Sequence, residues 1–245
     1  MNKLLIALAV VIISGGAYYA SRKEAAPAQV QVPGSSTTHN FDRPKKSAHY
    51  ESNTPAHGAV LAGQPLRVVI DFNFDLAEPS QITVTKDSRT YSTGATHIYD
   101  NKLAMATDLL PMPDGLYTVA YKACWPDQSC HDGRFQFALN RSLASSFTDL
   151  SQSNEITIRM SDIKFKPMNI IVKSGAKVTW INDDNEGHYT NTDAHPSHTY
   201  QQDMNSRLLK KGEQFSYVVR HPSGSILPYH CSAHAAGMTG TILVK

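Results

Sequence analysis

Apolar residues recur at every second position over much of this chain. Val68, Ile70, Phe72 and Phe74 alternate with Arg67, Val69, Asp71 and Asn73. Ile82 and Val84 repeat the pattern, as do Tyr117, Val119 and Tyr121, and then Phe135, Phe137 and Leu139. Pro, Gly, Asp and Asn separate the runs. Period two with frequent turn residues predicts antiparallel strands in a sandwich. A polar stretch from Ser142 to Asn154 breaks the pattern. It returns at Ile156, Ile158 and Met160, at Ile163 and Phe165, and in the stretches 169–173, 177–181, 215–219 and 241–244. No stretch carries a three-to-four period, and no repeat links the two halves. The fold expected is all-β: two Greek-key β-sandwich domains in series, over 48–140 and 155–245, with a linker at 141–154.

The N-terminus bears on compartment. Lys3 precedes an apolar run from Leu4 to Ile13 that continues to Ala20, and Arg22 and Lys23 follow. Residues 1–20 read either as a signal peptide or as an uncleaved membrane anchor, since the run approaches the span of about 18 apolar residues. Both readings place the remainder in the periplasm or cell envelope. There it is soluble after cleavage, or tethered to the inner membrane through residues 4–20. Residues 21–47, rich in Ala, Pro, Gln, Ser and Thr, read as a disordered linker.

The 245 residues suffice for two small cores, and a net charge of +2 argues against nucleic acid as a partner. Three cysteines sharpen the picture. Cys124 and Cys130 lie close together and can form a disulfide in an oxidising compartment. Cys231 is then an odd thiol, and metal ligation explains it. It opens the run Tyr229-His-Cys-Ser-Ala-His-Ala-Ala-Gly-Met238, so Cys231, His234 and Met238 share one tight loop leaving a strand. A fourth ligand must come from another strand, and His188, shortly after the run Val178-Thr-Trp-Ile-Asn182, is well placed. Two imidazoles and a thiolate with a weak axial thioether describe a type 1, or blue, copper site. Zinc prefers a tetrahedral site without thioether. A binuclear copper site would need a second cysteine in the loop.

Residues 155–245 resemble the small cupredoxins, the plastocyanin, pseudoazurin and amicyanin group. The matching pieces are Ile163-Lys-Phe-Lys-Pro167, Val172-Lys-Ser-Gly175, Val178-Thr-Trp-Ile-Asn182, Leu208-Leu-Lys-Lys-Gly-Glu213 and the Cys-His-Met loop. The resemblance implies copper ligands His188, Cys231, His234 and Met238. The spacing from His234 to Met238 falls between those of amicyanins and plastocyanins. Residues 48–140 are similar, more loosely, to the CopC-type copper-resistance proteins, through the segment from Ala48 to Val60, Leu110-Pro-Met-Pro-Asp-Gly-Leu-Tyr-Thr-Val119 and Asp132-Gly-Arg-Phe-Gln-Phe137. That family holds Cu(II) with an early histidine, an aspartate and a histidine before the last strand. His49 and Asp127 match by position, but Ser129 stands where the second histidine is expected and His131 lies two residues on. A structural sandwich that has lost its copper site is therefore preferred over a second Cu(II) site at His49, Asp127 and His131.

His230 precedes Cys231, as in multicopper oxidases, but the His-x-His pairs of a trinuclear cluster are missing. Cys124 to His131 has too many intervening residues for a haem c site. His195-Pro-Ser-His198, in a polar loop not far from His188, reads as a solvated loop in preference to a surface capture site for copper, and His221 carries no assignment. The function expected is a single-electron carrier of the cell envelope with a redox partner protein. The alternative is periplasmic copper handling, by buffering, delivery or resistance, with a copper acceptor as partner. No enzyme is expected, because no second copper centre with open coordination is legible.

Overall fold

A computed structural model describes residues 39–245, so the signal or anchor reading of 1–20 lies outside the described residues. Among the described residues no helix is long and apolar enough to cross a membrane. All regular structure among the described residues is strand, apart from three short 3-10 turns.

In the first domain Val68, Ile70 and Phe72 project from one side of strand Arg67–Phe72 and meet Tyr117, Val119 and Tyr121 of strand Gly115–Cys124. One sheet orders Tyr50–Thr54, Arg67–Phe72, Ala104–Leu109 and Ser92–Ile98. The other orders Val60–Leu61, Cys130–Leu139, Gly115–Cys124, Ala77–Lys86 and Arg89–Thr90. Cys124 and Cys130 face each other at the end of the hairpin 115–139 and are disulfide-bonded. Residues 42–47, read as part of the linker, are laid along this sandwich. Lys45 bridges to Arg134 and the Asp42 N–H donates to Gln136.

The second domain stacks two sheets around Trp180, Ile158, Ile170 and Leu227. One holds Phe165–Lys166, Glu155–Met160, Lys177–Asn182 and Gln214–Val218; the other holds Thr148–Asp149, Asn169–Val172, Thr239–Val244, Ser225–His230 and Asn191–Thr192. The sequence pattern predicts antiparallel pairing, yet 155–160 runs parallel to 177–182, and 169–172 runs parallel to 239–244. The chain switches sheets between successive strands, so neighbours are not consecutive and need not alternate direction. Ile163, expected in a strand, is exposed and left-handed (φ 56°), in a turn with Asp162.

The domains are joined by more than the chain between them. Gln64–Pro65 pairs in parallel with Ser225–Ile226. Gly63 makes this approach possible, since a Cβ there would stand 2.6 Å from the Gly224 carbonyl oxygen. Tyr200, buried, accepts from the Leu66 N–H at 2.6 Å and donates to the Ile226 carbonyl at 3.2 Å. It packs with Val69, Ala104 and Ala106 in an apolar cluster of its own. Thr199 donates to the buried carboxylate of Asp71 at 2.7 Å. The segment 193–200 of the second domain is thus seated on the first.

Candidate metal centre

Strand Ser225–His230 ends at Cys231, and a 3-10 turn at Ser232–His234 follows. Backbone bonds close the loop. The Cys231 N–H donates to the Met238 carbonyl (2.9 Å), the His234 N–H to the Cys231 carbonyl (2.9 Å) and the Met238 N–H to the His234 carbonyl (3.0 Å). Cys231 and Met238 therefore leave the loop side by side, both 0% exposed and in one core cluster.

His188 arrives from the other sheet. The side chain of Asn182, at the end of strand Lys177–Asn182, donates to the carbonyls of Glu186 (2.7 Å) and Leu209 (2.9 Å) and accepts from the Asp184 N–H (2.9 Å). These bonds fix the turn 183–187. His188 then exchanges both backbone bonds with Leu209. The His188 Nδ1 and the His234 Nδ1 each lie 3.6 Å from the Cys231 Sγ. The three donor atoms fall within 4.8 Å of one another. The Tyr189 N–H points at the same sulfur from 3.4 Å.

Sequence reasoning missed Asp184. Its carboxylate takes the Nε2–H of buried His188 at 2.9 Å, which leaves Nδ1 as the free lone pair facing the sulfur. Burial works against the Asp184 charge. The N–H groups of Ile163 and Asp162 and the His188 ring outweigh it and hold the carboxyl below its ordinary value. The exposed Ile163 turn is thus the anchor of that carboxylate.

The first-domain residues are placed differently. His49 hydrogen-bonds Asn73 at 3.0 Å, stacks on Phe74 and meets the edge of Trp125. Asp127 caps the exposed hairpin tip through Ser129, and His131 lies exposed on strand Cys130–Leu139. Among the described residues the groups of three or more candidate donors are His188, Cys231 and His234, and a second set of His195, His198 and His230. His49, Asp127 and His131 form no such group.

The second set departs from the solvated loop expected. Asn191 and Thr192 pair with His230 and Tyr229, so the chain that follows folds over the end of that strand. The ring centroids of His195, His198 and His230 lie 5.0–5.6 Å apart. Burial, then the neighbouring His230 ring, holds His195 below the ordinary imidazole value; burial does the same for His198.

Comparison with known proteins follows the same division. Residues 50–140 match the CopC domain model, and residues 152–245 match that of copper binding proteins of the plastocyanin/azurin family. CopC from Methylosinus trichosporium OB3b is 16% identical, covering 39% of this chain and 94% of that one, with a TM-score of 0.35. A purple cupredoxin from Nitrosopumilus maritimus is 24% identical, covering 37% and 99%, with a TM-score of 0.32. PcoC, a methionine-rich copper resistance protein from Escherichia coli, is 20% identical, covering 38% and 100%, with a TM-score of 0.33. No curated protein matches.

Proposed function

This chain is a CopC domain followed by a cupredoxin domain of the plastocyanin/azurin family, and from that premise we propose an exported single-electron carrier with one type 1 copper in its second domain. The ligands are His188, Cys231, His234 and Met238. The observation that carries this reading is the approach of two imidazole nitrogens to one buried thiol, each at 3.6 Å. The donor chemistry fits copper: a soft thiolate, two neutral imidazoles and a thioether beside them. When bound, copper supplies the one-electron couple.

The chain's own residues hold that couple ready. Full burial of His188, Cys231 and Met238 keeps water from the donors. Asp184 fixes the His188 ring, and the Tyr189 N–H stabilises negative charge on the sulfur. The loop and the Asn182 turn are already braced by hydrogen bonds, so little has to move when the charge changes. His234 is half-buried and reaches the surface among exposed Ala233, Ala236 and Gly237. Small side chains there let a redox partner approach closely, and such encounters need only a small interface.

The CopC match supports a second reading, delivery or buffering of copper in the envelope. A carrier keeps its ion and cycles reversibly, whereas a delivery protein yields the ion to an acceptor. Dialysis of the loaded protein against a copper acceptor, followed by metal analysis, separates the two. The type 1 assignment has its own test. The copper-loaded protein shows an intense visible thiolate-to-copper band, absent from Cys231→Ser and unchanged in His49→Ala. A loaded wild-type protein without that band refutes the assignment.

A further inference from the structure

We propose a second metal site, for Cu(II), formed by the imidazoles of His195, His198 and His230. It goes beyond the type 1 reading and does not depend on it. Three features set this cluster apart from surface histidines that happen to be neighbours.

The first is an unused lone pair. His230 is 3% exposed, and its Nε2 has no hydrogen-bond partner. A buried polar atom left bare is unfavourable, and this one belongs to a ring packed beside two other imidazoles. The opposite edge of the ring is satisfied: Nδ1–H donates to the Asp193 carboxylate at 3.0 Å. A carboxylate on the far nitrogen fixes the tautomer and makes the near nitrogen a better donor to a metal.

The second feature is that His198 is oriented in the same way. Its Nδ1 lies 2.8 Å from the Thr192 carbonyl, which can only accept, so the proton sits there and Nε2 is the free donor. That Nε2 has one neighbour, the Ser232 hydroxyl at 3.0 Å, which also accepts from the Asn191 amide. A hydroxyl can rotate away from an incoming ion at little cost.

Convergence is the third feature. One nitrogen from each of the three rings lies within 4.8 Å of the others. Metal–imidazole bonds of about 2.0–2.1 Å need only a modest inward turn of the rings. His195, the exposed member, has the freedom to make it. Three neutral imidazoles without a thiolate suit Cu(II) above other divalent first-row ions. Three protein donors also leave a coordination position open toward solvent. The sequence offers His195 and His198 only as a loop pair ranked below solvation, because His230 joins them from a strand end that only the fold brings alongside.

The test is equilibrium titration of the full chain, without an affinity tag, with Cu(II) alone, read by bound-metal analysis and electron paramagnetic resonance. Wild type should bind a second equivalent whose spectrum is that of ordinary Cu(II) coupled to three nitrogens. His195→Ala removes an exposed ligand and leaves the fold in place. It should weaken that equivalent by more than the ~10- to 100-fold that loss of an outer hydrogen-bond partner costs. His195→Ala/His198→Ala should abolish it, and His49→Ala should leave it intact. Absence of an ordinary Cu(II) signal coupled to three nitrogens, or its loss in His49→Ala but not in the double variant, overturns the proposal. Failure of the type 1 reading would show separately, as a missing visible band.

Discussion

At the residue scale, the candidate centre depends on side chains that hold the donors rather than on the donors alone. Asp184 is the clearest case, because its carboxylate decides which nitrogen of His188 carries the proton. Asp184→Asn keeps the size of the side chain and one oxygen for the Asp162 N–H, but replaces the oxygen that takes both the Ile163 N–H and the His188 Nε2–H. It then turns an amide N–H toward the ring nitrogen that now donates. The expected outcome is copper affinity lowered about 10- to 100-fold, measured by chelator competition, with folding intact by circular dichroism. Unchanged affinity would show that the ring is oriented by burial alone. Cys231, His234 and Met238 are legible in the sequence because they share one short loop, and His188 because a strand pattern leads up to it. Asp184 is not, since an acid beside Asp183 in a polar turn looks like any loop residue. His230 is noticed only as a neighbour of Cys231. Nothing before folding says that Asn191 pairs opposite it.

At the scale of elements, the period-two reading finds strands with one wet face and misses those without one. Ala104–Leu109 shows no alternation because Met105 faces the domain core while Ala104 and Ala106 face the contact with the second domain. Ser92–Ile98 is largely polar and lies at a sheet edge, so its sequence reads as loop. The hairpin 115–139 is both legible and testable. Its Cys124–Cys130 bond closes a short loop, and loop-entropy reasoning gives such a staple about 2 kcal/mol. The double variant Cys124→Ala/Cys130→Ala should lower the first-domain unfolding transition accordingly in calorimetry. The visible band of the second domain should stay where it is. A transition that does not move would mean that the ten-residue pairing of these strands needs no staple.

At the scale of the whole molecule, the contact between the domains gives the first one a part in placing the histidines of the second. The segment that carries His195 and His198 is seated on it through Thr199 and Tyr200. At the centre of that contact is the Asp71 carboxylate, 2% exposed. Burial raises its pKa above 3.8 and nearby Glu51 adds to the rise, while hydrogen bonds from Thr199, Ser52 and Ser197 oppose it. A carboxyl raised in the folded state stabilises the fold fully below its unfolded value near 3.8 and gives that contribution up as pH climbs through the folded value. Asp71→Asn cannot ionise yet keeps an oxygen for Thr199. Its Tm relative to wild type should therefore rise as pH goes from ~4 to ~7, because only wild type takes on the cost of a buried charge. Carboxyls elsewhere, such as Asp149 and Glu213, both lowered to about 2, titrate alike in the two proteins and cancel in the difference. A Tm difference that stays flat with pH would mean that water reaches Asp71, and that the seat of the histidine-bearing segment is looser than the burial of Asp71 and Tyr200 implies.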